Sequence, residues 1–305
     1  MTPRRSAYNE SSMLFRFASR CIMKFSIPIA AIAATLAMAA EPKKAPAIPD
    51  GPGKDYDVAK KGIARGKIEE IAYESKSIGM KRPAAVYTPP GYDATKDDKY
   101  PVLYLLHGIG DIEVDWVKKG KADAILDNLL ADKKIEPMIV VMPNGRAMKD
   151  ITVKTPWKDQ VPAFAAFEKD LLEDLIPHIE KNYRTKVDRK SRAIAGLSMG
   201  GGQTLNFGLA HTDVFAWIAA FAPAPTTKPM KDLLPKPEKA IEAIELLWVS
   251  CGDEDFILET SKTVHEQLDA LKVPHAWHLG KGPHEWPVWQ DDLFRVSQLL
   301  FKSKK

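Results

Sequence analysis

Ser198, enclosed by glycines, is the first residue of this sequence whose surroundings suggest chemistry. The stretch AIAGLSMGGG, residues 193–202, sets this serine between Gly196 and Gly200. A G-x-S-x-G spacing between a strand and a helix is typical of a nucleophile elbow, a sharp turn that presents the serine hydroxyl to substrate. A flexible turn with an incidental serine gives the same pattern, so the remainder of the chain must distinguish the two interpretations.

A nucleophilic serine needs a base, and the base needs an acid that orients it. Three acids, Asp253, Glu254 and Asp255, follow the apolar run LLWVSCG, and His284 lies in the Gly/Pro-rich stretch GKGPHEW. The chain order serine, acid, histidine is that of hydrolases in which each of these side chains follows a strand of a parallel sheet. Asp255 precedes the next helical stretch, where an acid can reach over to the histidine loop, so it is the favoured member of the three.

Acyl transfer also requires two backbone N–H donors that stabilise a developing oxyanion. Met199, the residue after the candidate nucleophile, is the first predicted donor. Ile109 is the second, because the run LLHGIGD ends a predicted strand and its glycines allow the backbone to turn an N–H inward. A plain strand-ending turn is the alternative interpretation of this run.

Aromatic side chains in the predicted loops are candidates for substrate contact. Trp116, Trp286 and Trp289 are the predicted substrate-binding residues, because an indole ring can stack on a phenolic ring or a sugar. Packing in the core is the alternative for each of them. Histidines other than His284 fall within or beside predicted strands and helices, and no H-E-x-x-H spacing is present, so we predict neither a metal nor a cofactor.

The elements that must position these residues form a regular alternation. Apolar runs typical of strands buried on both faces alternate with amphipathic stretches, which predicts a mostly parallel sheet covered by helices: an α/β fold. Two long loops, 144–162 and 223–243, are expected to be functional. A helix is predicted over FAAFEKDLLEDLIPHIEKNY, with a solvated outer face formed by Glu168, Asp170, Glu173 and Asp174.

The net charge of +4 arises at the N-terminus. Residues 1–39 contain five basic residues and one acidic residue, whereas residues 40–305 contain 39 of each. A body that is neutral overall gives no electrostatic support for binding to nucleic acid, so we predict no such partner.

The same N-terminal segment has the features of a cleavable signal peptide. Lys24 precedes an apolar run of 16 residues, and Ala37-Met38-Ala39 offers small residues for cleavage near Ala39 or Ala40. A transmembrane anchor is the alternative, but the run is shorter than the roughly 20 residues that a spanning helix needs. We therefore predict a secreted or periplasmic protein without stable membrane insertion, organised as a signal peptide (1–39), a Pro/Lys-rich linker or loosely held arm (40–65) and one α/β domain (66–305).

Several motifs in combination resemble a known family. Over residues 66–302, the stretches LLHGIG with DW, FEKDLLEDLIP, RAIAGLSMGGGQ, CGDEDF and GPHEWPVW are similar to those of the α/β-hydrolase esterases of the first carbohydrate esterase family, which includes feruloyl and acetyl-xylan esterases. The resemblance implies an α/β-hydrolase fold with Ser198 as nucleophile, His284 as base and Asp255, at the end of C-G-x-x-D, as the acid. It further implies a cofactor-independent serine esterase acting on feruloyl or acetyl esters that are carried on plant polysaccharide.

Other activities remain open on the sequence. An acyltransferase of the same fold would replace water by a sugar hydroxyl, and a peptidase would need a gating domain that the motifs do not show. A non-catalytic carbohydrate-binding relative is the alternative from a different class of protein. Such relatives usually lack a triad residue, whereas all three positions are filled here.

Overall fold

The computed structural model describes residues 43–302, and these are built around one twisted sheet of eight strands. The strand order is β1-β2-β4-β3-β5-β6-β7-β8. Strands β3 to β8 pair in parallel, while β2 pairs antiparallel with both β1 and β4. The strands are β1 (Lys67–Ser75), β2 (Met80–Thr88), β3 (Val102–Leu106), β4 (Ile139–Pro143), β5 (Arg192–Leu197), β6 (Trp217–Phe221), β7 (Leu246–Gly252) and β8 (Ala276–Gly280).

Helices cover both faces of this sheet, which explains why its central strands are apolar on both sides. One face packs against α2 and α9, and the other packs against α3, α4, α5 and α8. This architecture is the α/β-hydrolase fold, as the sequence predicts. The helices are α1 (Asp115–Lys118), α2 (Ala122–Ala131), α3 (Trp157–Asp170), α4 (Ile176–Asn182), α5 (Met199–Ala210), α6 (Met230–Leu233), α7 (Pro237–Ala243), α8 (Leu258–Ala270) and α9 (Trp286–Ser297).

The two segments predicted as long loops contain helical structure. Helix α3 begins at Trp157 and continues through a π-helical turn, Leu171–Leu175, into α4. Pro162 lies inside α3, where a proline is unfavourable, so the sequence pattern underestimates the length of this helix. The second segment holds the short helices α6 and α7.

The prediction of a solvated acidic face on this helical segment is wrong for Asp170 and Asp174. Asp170 is fully buried and accepts hydrogen bonds from Arg82 Nε at 2.9 Å and the Tyr73 hydroxyl at 2.5 Å. Asp174 accepts from the backbone N–H of Ser77 at 2.9 Å. Both carboxylates have partners on or beside β1 and β2, and so they anchor the helical segment to the antiparallel edge of the sheet.

The segment predicted as a linker is packed on the domain from residue 43 onward, so the expectation of a loosely held arm is corrected. Asn128 Nδ2 donates to the carbonyls of Tyr56 and Val58, each at 2.8 Å. Arg295 Nη1 donates to Pro49 O at 2.5 Å. These polar side chains lie on α2 and α9, outside the segment itself, which is why the local composition of residues 40–65 does not reveal the docking.

The predicted signal peptide and the predicted lack of membrane insertion concern the N-terminus and the helices, respectively. The predicted signal peptide, residues 1–39, lies outside the described residues. Within residues 43–302, no helix is long and apolar enough to cross a bilayer.

Candidate active site

Ser198 occupies a strained turn between β5 and α5. Its φ of 52° and ψ of −116° lie outside the regions that L-residues normally adopt, a conformation found mostly at functional sites. The turn needs glycine on both sides of the serine. A Cβ atom on Gly200 would lie 2.6 Å from His107 O, and one on Gly196 would lie 2.6 Å from Gly200 O. The motif therefore forms the geometry of a nucleophile elbow.

His284 joins this serine to a carboxylate. The distance from His284 Nε2 to Ser198 Oγ is 3.0 Å, and the distance from His284 Nδ1 to Asp255 Oδ2 is 2.7 Å. The hydrogen-bond network assigns the proton to Nδ1, which donates to the carboxylate, so Nε2 accepts from the serine hydroxyl. Asp255 Oδ1 accepts from the backbone N–H of Ile257 at 2.9 Å, which fixes the carboxylate in its turn.

The three neighbouring acids have different environments. The Asp255 side chain is fully buried against His284. Asp253 instead accepts from Gly282 N at 2.9 Å and from Lys281 Nζ at 2.6 Å, and the hydrogen bond from Lys281 lowers the pKa of Asp253. Glu254 is exposed. The geometry thus supports Asp255 as the orienting acid and gives Asp253 a structural role between two loops.

The predicted oxyanion donor Ile109 belongs to a loop whose orientation is set by His107. Burial lowers the pKa of His107 to about 3, so its imidazole is neutral at ordinary pH. His107 Nδ1 donates to Gly108 O at 2.7 Å, while Nε2 accepts from Gly145 N at 2.9 Å. Because the peptide is planar and trans, fixing Gly108 O also fixes the Ile109 N–H, which points the opposite way.

This loop passes beside the nucleophile. A Cβ atom on Gly108 would lie 3.4 Å from Ser198 Cβ. Met199 is the first residue of α5, where backbone N–H groups lack intrahelical acceptors and favour negative charge. The arrangement supports Ile109 and Met199 as the two donors of an oxyanion hole.

Arg146 binds the carbonyl groups of the same loop, a role that no local signal in the sequence indicates. This arginine is 3% exposed, and its guanidinium donates to the carbonyl oxygens of Ile109 and Asp111, the latter at 2.6 Å. Its Nε donates to Gln160 Oε1 at 2.6 Å, and its Cζ lies over the Phe164 ring, 5.1 Å from the ring centroid. The arginine therefore ties the loop after β3 to helix α3.

The predicted substrate-binding tryptophans pack edge-to-face against one another instead of forming an open surface. Trp116 is fully buried and its Nε1 donates to Leu106 O at 3.0 Å, so the prediction that it contacts substrate is not supported. Trp289 is 5% exposed and meets the His284 ring edge-on at 4.8 Å. Trp286 is half-buried between these two indoles. Burial in three dimensions, which sequence spacing does not show, decides these roles.

Phe256, which no motif in the sequence indicates, is an exposed aromatic residue at the surface of the site. Its ring is 80% exposed and lies 4.7 Å from the imidazole of His284. Its position immediately after the acid was the available signal.

An apolar wall lines the side of Ser198 formed by α3 and α5. It consists of Ile109, Val161, Phe164, Met199 and Ala224. A cleft of about 300 Å³ continues from this wall between α3, α5 and residues 226–228. Val161, Phe164 and Met199 belong both to the wall and to the lining of the cleft, so the two are continuous.

Among residues 43–302, His265, Asp269 and His275 place three potential metal ligands within 4.8 Å of one another. His275 Nδ1 is 2.8 Å from Val273 O, and its Nε2 is 2.7 Å from His265 Nδ1. Both nitrogens of His275 are thus engaged in hydrogen bonds, one to a backbone carbonyl and one to His265. The group precedes β8, at the end opposite to the His284 loop, and therefore takes no part in the candidate site.

Comparison with known proteins places the chain in a family. The Esterase family model, described as "Putative esterase", matches residues 75–300, and the chain belongs to this family of esterases. It is 36% identical over 265 residues to the endo-1,4-beta-xylanase/feruloyl esterase of Xylanibacter ruminicola, a match covering 82% of this chain and 34% of that protein. It is 32% identical over 149 residues to the esterase Rv1288 of Mycobacterium tuberculosis, covering 47% and 29% of the two chains.

A solved structure extends the comparison. The ferulic acid esterase of Anaeromyces mucronatus in complex with ferulic acid matches with a TM-score of 0.74 and 27% identity, over 84% of this chain and 98% of that one. The chain spans about a third of the length of the curated relatives named above.

Proposed function

We propose that this protein is a secreted serine esterase that releases phenolic acyl groups, of which feruloyl is the leading example, from esters carried on plant polysaccharide. The observation that carries the proposal is the hydrogen-bonded series from Ser198 Oγ through His284 to Asp255, with distances of 3.0 and 2.7 Å. Membership in the esterase family and the likeness to feruloyl esterases support it.

Acylation begins when Ser198 Oγ attacks the ester carbonyl carbon and passes its proton to His284 Nε2. Asp255 stabilises the imidazolium that forms. The carbonyl oxygen takes up negative charge opposite the Met199 and Ile109 N–H groups. As the tetrahedral intermediate collapses, His284 returns the proton to the leaving alkoxide oxygen, which departs as the alcohol.

Deacylation repeats these steps with water. His284 removes a proton from water, the hydroxide oxygen attacks the acyl-enzyme carbonyl, and the proton returns to Ser198 Oγ as the carboxylic acid leaves. Every bond made or broken in this cycle involves the substrate, water or the three side chains.

The apolar wall favours an aromatic acyl group over acetyl. Val161, Phe164 and Met199 offer apolar contact area that an acetyl group is too small to use. The cleft of about 300 Å³ beyond them has room for a phenylpropenoyl group.

Incubation of the purified protein with arabinoxylan tests this proposal. We expect ferulate release to exceed acetate release, quantified by chromatography, and Ser198→Ala to release neither. Release of acetate alone would contradict the acyl preference, and an active Ser198→Ala variant would contradict the mechanism.

Export is the second part of the proposal and rests on the leader at residues 1–39. N-terminal sequencing of protein recovered outside the cytoplasm is expected to begin near Ala40. An intact leader on active protein that stays in the cytoplasm would contradict it.

A further inference from the structure

Phe256 has an exposure that core packing does not explain. Its phenyl ring is more exposed than any other large apolar side chain in residues 43–302, at 80%. Backbone bonds fix the loop that carries it: Asp255 N donates to Gly252 O at 3.3 Å and Leu258 N donates to Asp255 O at 3.0 Å. The ring is therefore held at the surface by an ordered turn, directly beside the catalytic histidine.

The chemistry of ester cleavage determines which part of the substrate meets this ring. His284 Nε2 must protonate the leaving oxygen, so the alcohol portion of the ester lies on the side of the imidazole. The acyl portion lies on the side of Ile109, Met199 and the apolar wall. Because Phe256 packs on the His284 ring at 4.7 Å, it borders the position of the alcohol.

Two exposed carboxylates lie on the loops that carry Phe256 and His284. The Phe256 and His284 loops are joined by Asp253 N to Gly280 O at 2.9 Å and Glu254 N to Gly282 O at 3.1 Å. Glu254 and Glu285, one on each loop, are exposed. An exposed apolar ring and exposed carboxylates on the same two loops match a sugar, which presents C–H groups on its faces and hydroxyls at its edge that can donate hydrogen bonds to carboxylates.

We propose that Phe256 is the floor of a subsite for the sugar ring that bears the ester, with Glu254 and Glu285 as acceptors for its hydroxyls. The proposal rests on the proposed function. It makes Phe256 a determinant of leaving-group specificity, so that a sugar ester is preferred over a simple alkyl ester of the same acid.

A different role for Phe256 has to be separated from this one. The ring also contacts the imidazole of His284, to which it is tilted by 58°, and a role in shielding His284 alone would affect all esters alike. The ratio of kcat/KM for a feruloylated arabinoside to kcat/KM for methyl ferulate removes such common effects. The acyl group is identical in the two substrates, so this ratio reports only the contact with the alcohol.

The experiment compares this ratio in wild type, Phe256→Leu, Phe256→Trp and Leu279→Ala. Leucine keeps apolar cover but lacks a flat ring, and we expect the ratio to fall about five- to tenfold, mainly through KM for the arabinoside. Tryptophan should keep the ratio within about twofold of wild type. Leu279, a 47% exposed side chain on β8, is the matched control, and its alanine variant should leave the ratio unchanged.

An unchanged ratio in Phe256→Leu would overturn the subsite, whether both rates fall or neither does. A ratio lowered equally by leucine and tryptophan would also overturn it. Failure of the proposed function has a different signature, because the wild-type protein would then hydrolyse neither substrate.

Discussion

Three consecutive acids in the turn after β7 show how local bonds assign roles to side chains of the same charge. Asp255 turns inward to His284, while Asp253 bonds to the adjacent loop and Glu254 remains exposed. All three acids lie in the same turn, but only Asp255 contacts the Nδ1–H of His284.

Neutralising Asp255 should remove most of the activity. In Asp255→Asn the imidazole loses the acceptor that holds its tautomer, and we expect kcat to fall by on the order of 10⁴. Asp253→Asn and Glu254→Gln are the matched controls and should each cost much less. Steady-state kinetics on methyl ferulate measure all three, and a larger loss in Asp253→Asn would contradict the assignment.

At the residue scale, the sequence indicates residues whose order along the chain follows from the chemistry. It does not indicate roles that depend on whether a side chain is buried. Ser198 and His284 follow from the motif and from the order of elements. Trp116 fits the pattern of a substrate-binding aromatic in the sequence, but the fold buries it in the core. Arg146 is not predictable from the sequence because its acceptors are carbonyls of a loop 35 to 37 residues away, and every residue has a carbonyl group.

At the scale of elements, the loop after β3 is held from two sides. His107 bonds to the carbonyl of Gly108, and Arg146 bonds to the carbonyls of Ile109 and Asp111. Both side chains act on the peptides around the Ile109 N–H. We infer that they are positioning residues for the oxyanion hole.

Replacing Arg146 by lysine should affect kcat more than KM. Lysine cannot reproduce the forked set of donors, so the Ile109 N–H shifts, and we expect Arg146→Lys to lower kcat about ten- to a hundredfold with little change in KM. Arg189→Lys is the matched control, since Arg189 also donates to carbonyls, those of Thr212 and Ala243. Equal effects on kcat in the two variants would show that Arg146 is only structural.

Buried His107 should make the protein sensitive to acid. Burial lowers its pKa to about 3, whereas an unfolded chain has a histidine pKa near 6.5. Between these values the unfolded state binds the extra proton, so the free energy of unfolding decreases as the pH falls from about 6.5 towards 3. One proton gives at most about 1.4 kcal/mol per pH unit.

His107→Gln removes this titration. Urea unfolding at pH 7 and pH 5 is expected to show a smaller pH dependence in the variant than in wild type, even if the variant is less stable at both. The same dependence in both proteins would contradict a buried neutral imidazole.

At the scale of the whole molecule, the alternation of apolar runs was sufficient to predict the sheet. Strands such as Val102–Leu106 are apolar throughout because helices cover both faces. Long-range polar contacts were not predictable in this way. The bond from Arg82 to Asp170 spans 88 residues, and that from Asn128 to Tyr56 spans 72.

The docked segment ahead of β1 should contribute to stability without affecting catalysis. Asn128→Ala leaves the carbonyls of Tyr56 and Val58 without this donor, and we expect a loss of about 1–2 kcal/mol in the free energy of unfolding. Asn182→Ala, which loses a local bond to His178 O on α4, is the control and should cost less. Chemical denaturation compares the two, and equal losses would argue against a stabilising contact.

Turnover of methyl ferulate by Ser198→Ala tests the central claim most directly. Because the nucleophile, base and acid act as a unit, we predict a fall in kcat of at least about a thousandfold, with the thermal midpoint close to that of wild type. A folded Ser198→Ala protein with kcat within about tenfold of wild type would contradict the account.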